Sequence, residues 1–290
     1  MIYVATGSDN VRVINGATNS IITTIPVGDL PIGVGINPAT DLIYVANQNS
    51  DNVSVINGAI NSVIAMISVG DQPFGVGVNI STNLIYVTNQ GSDNVSVING
   101  TDNSVITTIT VGDQPSAVGI NTSTNLVYVT NRNSNNVSVI NGIDHSIITT
   151  IPVGNTPAGI GVNPLINVIY VANSGDNTVS IINGADNSII TTISVGAIPG
   201  PIGVNTSTNL VYVGNFSDDT ISIISGATNN VIITLAGDPH PLGIGVNPLT
   251  NRIYVAGENG DITVIDGISN TIITSISIGG DTPTGIGVNP

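Results

Sequence analysis

The sequence predicts an all-β protein, a seven-bladed β-propeller in which each blade contains four antiparallel strands. Three observations predict this fold. A unit of 42 residues recurs along the whole 290-residue chain, each unit holds four short β-like segments, and the two chain ends are complementary parts of one unit. A fixed period of roughly 20–50 residues is typical of repeat proteins, and about 42 residues is the size of one propeller blade.

The period is visible in single residue types. The tyrosines of the chain occur once per unit, at Tyr3, Tyr44, Tyr86, Tyr128, Tyr170, Tyr212 and Tyr254. Each unit opens with a proline, at Pro31, Pro73, Pro115, Pro157, Pro199, Pro241 and Pro283. Seven units therefore account for the whole chain.

The composition favours strands over helices. Trp and Lys are absent, Phe occurs twice, and Glu258 is the sole glutamate, so a core has to be built from Val, Ile and Tyr. These β-branched and aromatic residues are enriched in strands.

Each unit divides into four segments, which we call strands A to D. In one copy they are FGVGVN at 74–79, LIYVTN at 84–89, NVSVIN at 94–99 and VITTITV at 105–111. The gaps between them are short and rich in Gly, Asn, Asp and Ser, which favour tight turns. Gaps of this length connect antiparallel neighbours as hairpins.

The chain ends predict how the ring closes. The sequence begins in a strand B, at 2–4, and stops just after a strand A, at 283–289. We expect one domain over 1–290, with a closing blade formed by 283–290 together with 1–26. Closure of this kind removes an unpaired sheet edge.

Two repeated residues have structural interpretations. A glycine lies four residues after each repeat proline, as at Gly35 and Gly77. It predicts close approach of neighbouring innermost strands, with approach of a ligand as the alternative. The strand B tyrosines are expected to fill the core while their hydroxyls find polar partners, and not to be catalytic.

The strand B segments LIYVTN, LVYVTN and IYVAN, the strand C segment VSVING and the IPVGDxP segment resemble the YVTN family of β-propeller repeats. The resemblance covers essentially the whole chain. It implies a prokaryotic surface-layer or cell-surface propeller that acts as a structural or adhesive module. More distant seven-bladed relatives include streptogramin lyases and DNA-binding propellers, so the fold alone does not assign a function.

The net charge of −15 is expected to be unevenly distributed. In a four-stranded blade the B–C and D–A loops share one face of the ring, and the A–B and C–D loops share the other. The first face carries Arg132 and the acidic residues Asp9, Asp29, Asp51, Asp71, Asp93, Asp113, Asp176, Asp218, Asp219, Asp238, Glu258, Asp261 and Asp281. The second carries Arg252 and the acidic residues Asp41, Asp102, Asp144, Asp186 and Asp266. The face with the B–C and D–A loops is therefore predicted to be strongly anionic.

Four of these acids lie two residues before a repeat proline, in the loop that enters the innermost strand. We call Asp29, Asp71, Asp113 and Asp281 the acidic collar; Asp238 lies one residue out of register with it. Carboxylates of this kind suit Ca²⁺. Turn formation and solubility are the favoured explanation and need no metal, so no cofactor is expected, with calcium as the alternative.

Catalytic groups are scarce. His145 lies in a C–D loop, at a position where other units mostly have Asn. His240 lies in a D–A loop on the opposite face, so the two histidines cannot share a site. His240 with Asp238 is the best acid–base candidate, and it supports an alternative function as a lyase or hydrolase that uses an acidic channel mouth. We expect a protein that is not an enzyme.

Other classes of partner and location are limited by composition. Three arginines offer too little positive charge for nucleic acid, and no segment is long and apolar enough to span a membrane. Cysteine is absent, and the N-terminal residues do not form a signal peptide. The sequence thus predicts a cytoplasmic protein, or a mature form or module of a longer exported chain.

These observations together predict a non-catalytic binding or structural module. Its partner is expected to be a protein or a cell-envelope component, and its location extracellular or at the cell surface, as the resemblance implies. A monomeric ring is expected.

Overall fold

The computed structural model describes residues 1–237 and 239–290. It confirms the all-β fold: seven sheets of four antiparallel strands form a ring. The strands agree with the segments read from the sequence to within one or two residues at each end. The described residues include no apolar helix long enough to cross a bilayer.

The innermost strand of each blade, strand A, begins at the repeat proline. These strands are β4 (Pro31–Asn37), β8 (Pro73–Asn79), β12 (Pro115–Asn121), β16 (Pro157–Asn163), β20 (Pro199–Asn205), β24 (Pro241–Asn247) and β28 (Pro283–Val288). The B strands follow as β1 (Ile2–Thr6), β5 (Leu42–Asn47), β9 (Leu84–Asn89), β13 (Leu126–Asn131), β17 (Val168–Asn173), β21 (Leu210–Asn215) and β25 (Arg252–Gly257).

The third and fourth strands complete each blade. The C strands are β2 (Asn10–Asn15), β6 (Asn52–Asn57), β10 (Asn94–Asn99), β14 (Asn136–Asn141), β18 (Thr178–Asn183), β22 (Thr220–Ser225) and β26 (Asp261–Asp266). The outermost D strands are β3 (Ser20–Pro26), β7 (Ser62–Ser68), β11 (Ser104–Thr110), β15 (Ile147–Pro152), β19 (Ile189–Ser194), β23 (Asn230–Ala236) and β27 (Thr271–Ser277).

The closing blade joins the two chain ends, as the sequence predicts. Its strand order is β28-β1-β2-β3, and Tyr3 of β1 pairs with Gly287 of β28. The N-terminal ammonium of Met1 donates to the carbonyl oxygen of Asn289 at 2.6 Å, and the Asn289 N–H donates to the Met1 carbonyl oxygen at 2.8 Å. The first and last residues therefore lie side by side.

The core lies between adjacent blades. One cluster joins Tyr3 and Val13 of the closing blade to Ile43 and Val45 of the next blade, all of them buried. The B and C strands are buried on both faces, whereas the D strands alternate at the rim and expose residues such as Ile22. Neighbouring blades bury each other's faces, so the core formed by the described residues consists of seven clusters, one between each pair of adjacent blades.

Strand A glycines allow the innermost strands to approach closely. A Cβ on Gly77 would lie 2.6 Å from the Cγ1 atom of Val118 on the next A strand, and one on Gly119 would lie 2.8 Å from Val162 Cγ2. Real Cβ atoms do not tolerate such contacts in a packed interior. The packing interpretation of these glycines is therefore correct.

Among the described residues, one kind of side-chain hydrogen bond links consecutive blades at six of the seven junctions. The asparagine that ends strand A donates its Nδ2 to an oxygen in the A–B loop of the following blade; Asn37 donates to Asn83 at 2.7 Å, and Asn289 donates to Asp41 at 2.8 Å. Paired amides satisfy groups that would be costly to bury alone. This explains why the unit repeats an asparagine six residues after its proline.

The two faces of the ring contain the loops that the sequence predicts. The backbone N–H of Asp29, in a D–A loop, donates to Ser50 Oγ in a B–C loop at 2.8 Å. On the other face, the Gly58 N–H of a C–D loop donates to the Asp41 carbonyl oxygen of an A–B loop at 2.8 Å.

Candidate functional site

A β-bulge at the start of each innermost strand directs residues toward the central channel. In β8, Pro73 pairs with Asn89 and Val76 pairs with Val87, so Phe74 and its neighbour oppose the single residue Thr88. A bulge of this type re-aims side chains and interrupts the ladder. The residue after the repeat proline is thereby placed at the channel mouth, on the face with the B–C and D–A loops.

A pocket of about 460 Å³ lies at this end of the channel, and we call it the mouth pocket. Its lining comes from two repeat positions and their neighbours. Residues that follow the repeat proline contribute Phe74, Ser116, Ala158, Gly200 and Leu242. The first residues after strand B contribute Arg132, Ser174 and Phe216. The pocket shares Phe74, Ser116 and Leu242 with a second cavity of about 260 Å³ within the channel.

The mouth pocket is lined mostly by apolar side chains and backbone. It contains both phenylalanines of the chain, Phe74 and Phe216. Concave apolar sites with a few polar groups are the usual form of a ligand site. The channel mouth thus differs in chemistry from the acidic loops around it.

Arg132 is the one charged residue among the described residues that line the pocket. Its side chain forms no hydrogen bond or ion pair with any residue in the described part of the chain, and its Nε atom is buried without a partner. The Nε atom of Arg12 is buried without a partner as well, but the Arg12 guanidinium pairs with Asp281 at 2.5 Å. A half-buried guanidinium without an anionic partner is unusual, because burial of an unpaired charge is costly.

His240 lies next to the pocket and is oriented by two contacts. Its ring stacks on Phe216 with a centroid separation of 4.5 Å, and its Nδ1 lies 2.8 Å from Glu258 Oε2. Asp219 Oδ1 is 4.0 Å from His240 Nε2. The proposed partner Asp238 lies outside the described residues. Among the described residues, no hydroxyl is hydrogen-bonded to the imidazole, so a nucleophile for covalent catalysis is not positioned there.

The acidic collar is not held together by contacts among its members. Asp29, Asp71 and Asp113 are exposed, and their carboxylates have no hydrogen-bond or ion-pair partner in the described part of the chain. None of the collar residues lines the mouth pocket. Asp281 instead accepts hydrogen bonds from Arg12 and Ser8, and the bond from the Arg12 guanidinium is the main cause that lowers the pKa of its carboxyl.

Within residues 1–237 and 239–290, no three acidic or histidine side chains lie close enough together to hold a metal ion. Calcium binding by the collar remains an untested alternative.

Many other acids have structural roles in turns. Asp9, at φ 59°, accepts the Leu30 N–H through Oδ1 at 2.9 Å and so ties a B–C loop to the adjacent D–A loop. Equivalent bonds to D–A loop N–H groups are accepted by Asp51, Asp93 and Asp219. On the opposite face, hydrogen bonds from the side chain and backbone of Ser104 lower the pKa of the Asp102 carboxyl. These carboxylates therefore stabilise the turns that contain them or lie next to them.

The remaining candidates have structural environments. His145 lies in a C–D loop at φ 62° and contacts the ring of Tyr86 edge-on at 6.3 Å. All seven tyrosines are buried. Desolvation raises the pKa of five of them, Tyr44 among them, to about 12. The expectation that their hydroxyls find partners holds for Tyr44, Tyr128 and Tyr212. The buried hydroxyls of Tyr3, Tyr86 and Tyr170 have no hydrogen-bond partner among the described residues.

Comparison with known proteins supports the fold. No family model and no curated protein sequence matches the chain. A protein of unknown function from Desulfotomaculum acetoxidans has a similar structure, with a TM-score of 0.87, 16% identity, and coverage of 98% of this chain and 97% of that one. Hydrazine synthase from Kuenenia stuttgartiensis gives a TM-score of 0.79 at 17% identity, with 90% of each chain covered. At these identities the likeness shows the propeller fold, and the resemblance to YVTN repeats stays a prediction.

The sequence reasoning missed the residues that line the mouth. Phe74, Phe216 and Arg132 occupy two repeat positions at which the residue varies widely from unit to unit. This variation within an otherwise regular repeat is the signal that would have found them.

Proposed function

We propose that this protein is a non-catalytic binding module whose binding site is the mouth pocket. The observation that supports the proposal is a concave apolar pocket of about 460 Å³ at one end of the channel, lined by both phenylalanines of the chain. Phe74 lies within β8 and Phe216 directly follows β21, so the blades hold both side chains in place, and such preorganisation reduces the entropic cost of binding. The exposed carboxylates around it keep this face hydrated.

A neutral fluorescent compound tests the proposal. N-phenyl-1-naphthylamine is apolar and uncharged, and its emission rises in apolar surroundings. We expect saturable binding to the wild-type protein, with about tenfold weaker binding to Phe216→Ala and to Phe74→Ala, because each loses part of an aromatic contact worth roughly 1.5–3 kcal/mol when complete. Ile143→Ala is the matched control, since Ile143 is an exposed apolar residue (80%) on the opposite face. A non-saturable signal, or equal affinity in all variants, would contradict the proposal.

A second candidate is a lyase or hydrolase acting at the same mouth. The observation that favours it is the contact of His240 Nδ1 with Glu258 at 2.8 Å, which orients the imidazole as a general base would require. Turnover of ester or lactone substrates that is lost in His240→Ala and kept in His145→Ala would establish this function in place of a binding module.

We also propose a cell-surface location and a protein or cell-envelope partner, on the support of the resemblance to surface-layer propellers. Protease treatment of intact source cells is expected to release peptides of this chain. Light scattering after size exclusion is expected to give the mass of one chain. Protection in intact cells that disappears on lysis would count against the surface location.

A further inference from the structure

Arg132 is a basic residue on a face whose other charged loop residues are acidic. The protein carries a net charge of −15, and the face that holds Arg132 carries thirteen acidic residues in the sequence. The Arg132 side chain nevertheless forms no ion pair with any acid among the described residues, and its Nε atom is buried without a hydrogen-bond partner. The guanidinium thus has no partner from the described part of the chain.

The repeat position of Arg132 supports a role in ligand contact. Each blade places the first residue after strand B at the rim of the channel mouth, and the other units have Gly7, Gln48, Gln90, Ser174, Phe216 and Glu258 there. Several of these have partners within the protein: Ser174 donates to the Pro199 carbonyl oxygen at 2.6 Å, and Glu258 contacts His240. The fold does not need an arginine at this position, because the other blades form the same four-stranded sheet with a different residue there.

The pocket around Arg132 is apolar. Phe74, Phe216 and Ala158 line it together with Arg132. Water is partly excluded from such a site, so a charge-assisted hydrogen bond made there is stronger than one on an open surface. The planar fork of an arginine matches the two oxygens of a carboxylate in a bidentate pair.

We propose that the mouth pocket binds an apolar monocarboxylate, with its carboxylate on the Arg132 guanidinium and its apolar group against Phe74 and Phe216. The inference rests on the proposed binding function and names the ligand class. The same chemistry is offered by a free carboxylic acid and by the C-terminal residue of a polypeptide with an apolar side chain.

The acidic loops restrict the charge of this ligand. Most of their carboxylates are exposed and act through water, where the Debye length is about 8 Å at physiological salt, whereas Arg132 acts in direct contact. A single carboxylate gains more from that contact than it loses to the screened repulsion. A second carboxylate that projects toward the loops has no cation to meet it, so dianions are expected to bind more weakly than monoanions.

Calorimetric titration with three related compounds tests the proposal. We expect 4-phenylbutyrate to bind at least tenfold more tightly than its neutral amide, 4-phenylbutanamide, and more tightly than the dianion phenylsuccinate. In Arg132→Gln the acid and the amide are expected to bind equally. Arg252→Gln, which removes an arginine from the opposite face, is the matched control and is expected to preserve the tenfold preference. Thermal unfolding of each variant checks that the fold is retained.

The outcomes separate this inference from the binding function on which it rests. If N-phenyl-1-naphthylamine binds while acid and amide bind equally to the wild type, the binding site stands and the carboxylate proposal is overturned. A preference that survives in Arg132→Gln also overturns it. If neither the neutral compound nor the acid binds, both proposals are overturned together.

A peptide arm distinguishes the two sources of the carboxylate. The tripeptide acetyl-Gly-Gly-Phe is compared with its C-terminal amide on wild type and Arg132→Gln. Binding of the free-acid peptide at least as tight as that of 4-phenylbutyrate, lost on amidation and in Arg132→Gln, identifies a polypeptide C-terminus. Binding of 4-phenylbutyrate alone identifies a small carboxylic acid. If neither 4-phenylbutyrate nor the free-acid peptide binds the wild type more tightly than Arg132→Gln, the proposal is overturned.

Discussion

Removal of residues 283–290 is expected to open the ring. These residues contain β28, which is the innermost strand of the closing blade and pairs with β1 from Ile2–Val288 to Thr6–Pro283. The deletion leaves β1 as an unpaired edge next to the channel. It also removes the hydrogen bond from Asn289 to Asp41 of the next blade.

The magnitude follows from the side chains that β28 contributes. Ile286 and Val288 are partly buried against a cluster that includes Ile2 and Val4. Full burial of such a side chain is worth roughly 1.5–3 kcal/mol, so two partly buried ones contribute about 2–4 kcal/mol before the backbone hydrogen bonds are considered. Whole proteins are stable by only about 5–15 kcal/mol. With about 2–4 °C per kcal/mol, the unfolding midpoint should fall by about 4–16 °C.

Thermal unfolding followed by circular dichroism measures this change. Deletion of Pro290 alone is the control, because this exposed residue lies beyond β28. Hydrogen exchange adds a local measurement: the amides of Ile2–Thr6 should lose protection in the truncated protein. The synthetic peptide 283–290 should restore part of both signals. An unchanged midpoint with full protection of this strand would refute the closed-ring reasoning.

Three further expectations concern single groups. Thr130→Val should lower the free energy of unfolding by about 2–3 kcal/mol in denaturant titration, because Thr130 Oγ1 accepts from one backbone N–H and donates to a carbonyl oxygen of the next blade, both at 2.9 Å. Thr150→Val, on the exposed rim, is the control and should change the free energy of unfolding little. Equal effects of the two substitutions would contradict this expectation. Burial raises the pKa of Tyr44 and Tyr128 to about 12, above the ordinary tyrosine value near 10, so the unfolded chain loses these protons first. The free energy of unfolding should therefore decline as pH rises from about 10 to about 12, and tyrosinate absorbance should appear only on unfolding. Tyrosinate absorbance near pH 10 in the folded protein would contradict this expectation. Calorimetric titration with calcium should give heats of dilution alone, because the exposed carboxylates of Asp29, Asp71 and Asp113 are not close enough together to share one ion. Saturable heat that disappears when these three residues are replaced by Asn would instead show a calcium site.

The repeat made the fold predictable in considerable detail. Strand positions, hairpin order, closure through the two ends and the loops on each face follow from a period of 42 residues and from strand alternation. Close packing at Gly77 was predictable because a glycine inside a strand usually marks a bend or the close approach of another backbone. These features depend on properties that every unit shares.

The site depends on properties that units do not share, and it was therefore less predictable. The bulge after the repeat proline decides that Phe74 faces the channel mouth, and no residue pattern in the unit indicates a bulge there. His240 is paired with Glu258, 18 positions further along, because the D–A and B–C loops of one face interleave. From the sequence alone, only a residue near His240 in the chain, such as Asp238, could be proposed as its acid–base partner.

The side-by-side placement of Met1 and Asn289 has a consequence for how this ring can be mounted. Both residues lie where strand A meets strand B, which is the face opposite the mouth pocket. A tether, neighbouring segment or surface support joined at either end would leave from that opposite side. The face with the mouth pocket would then point away from the attachment.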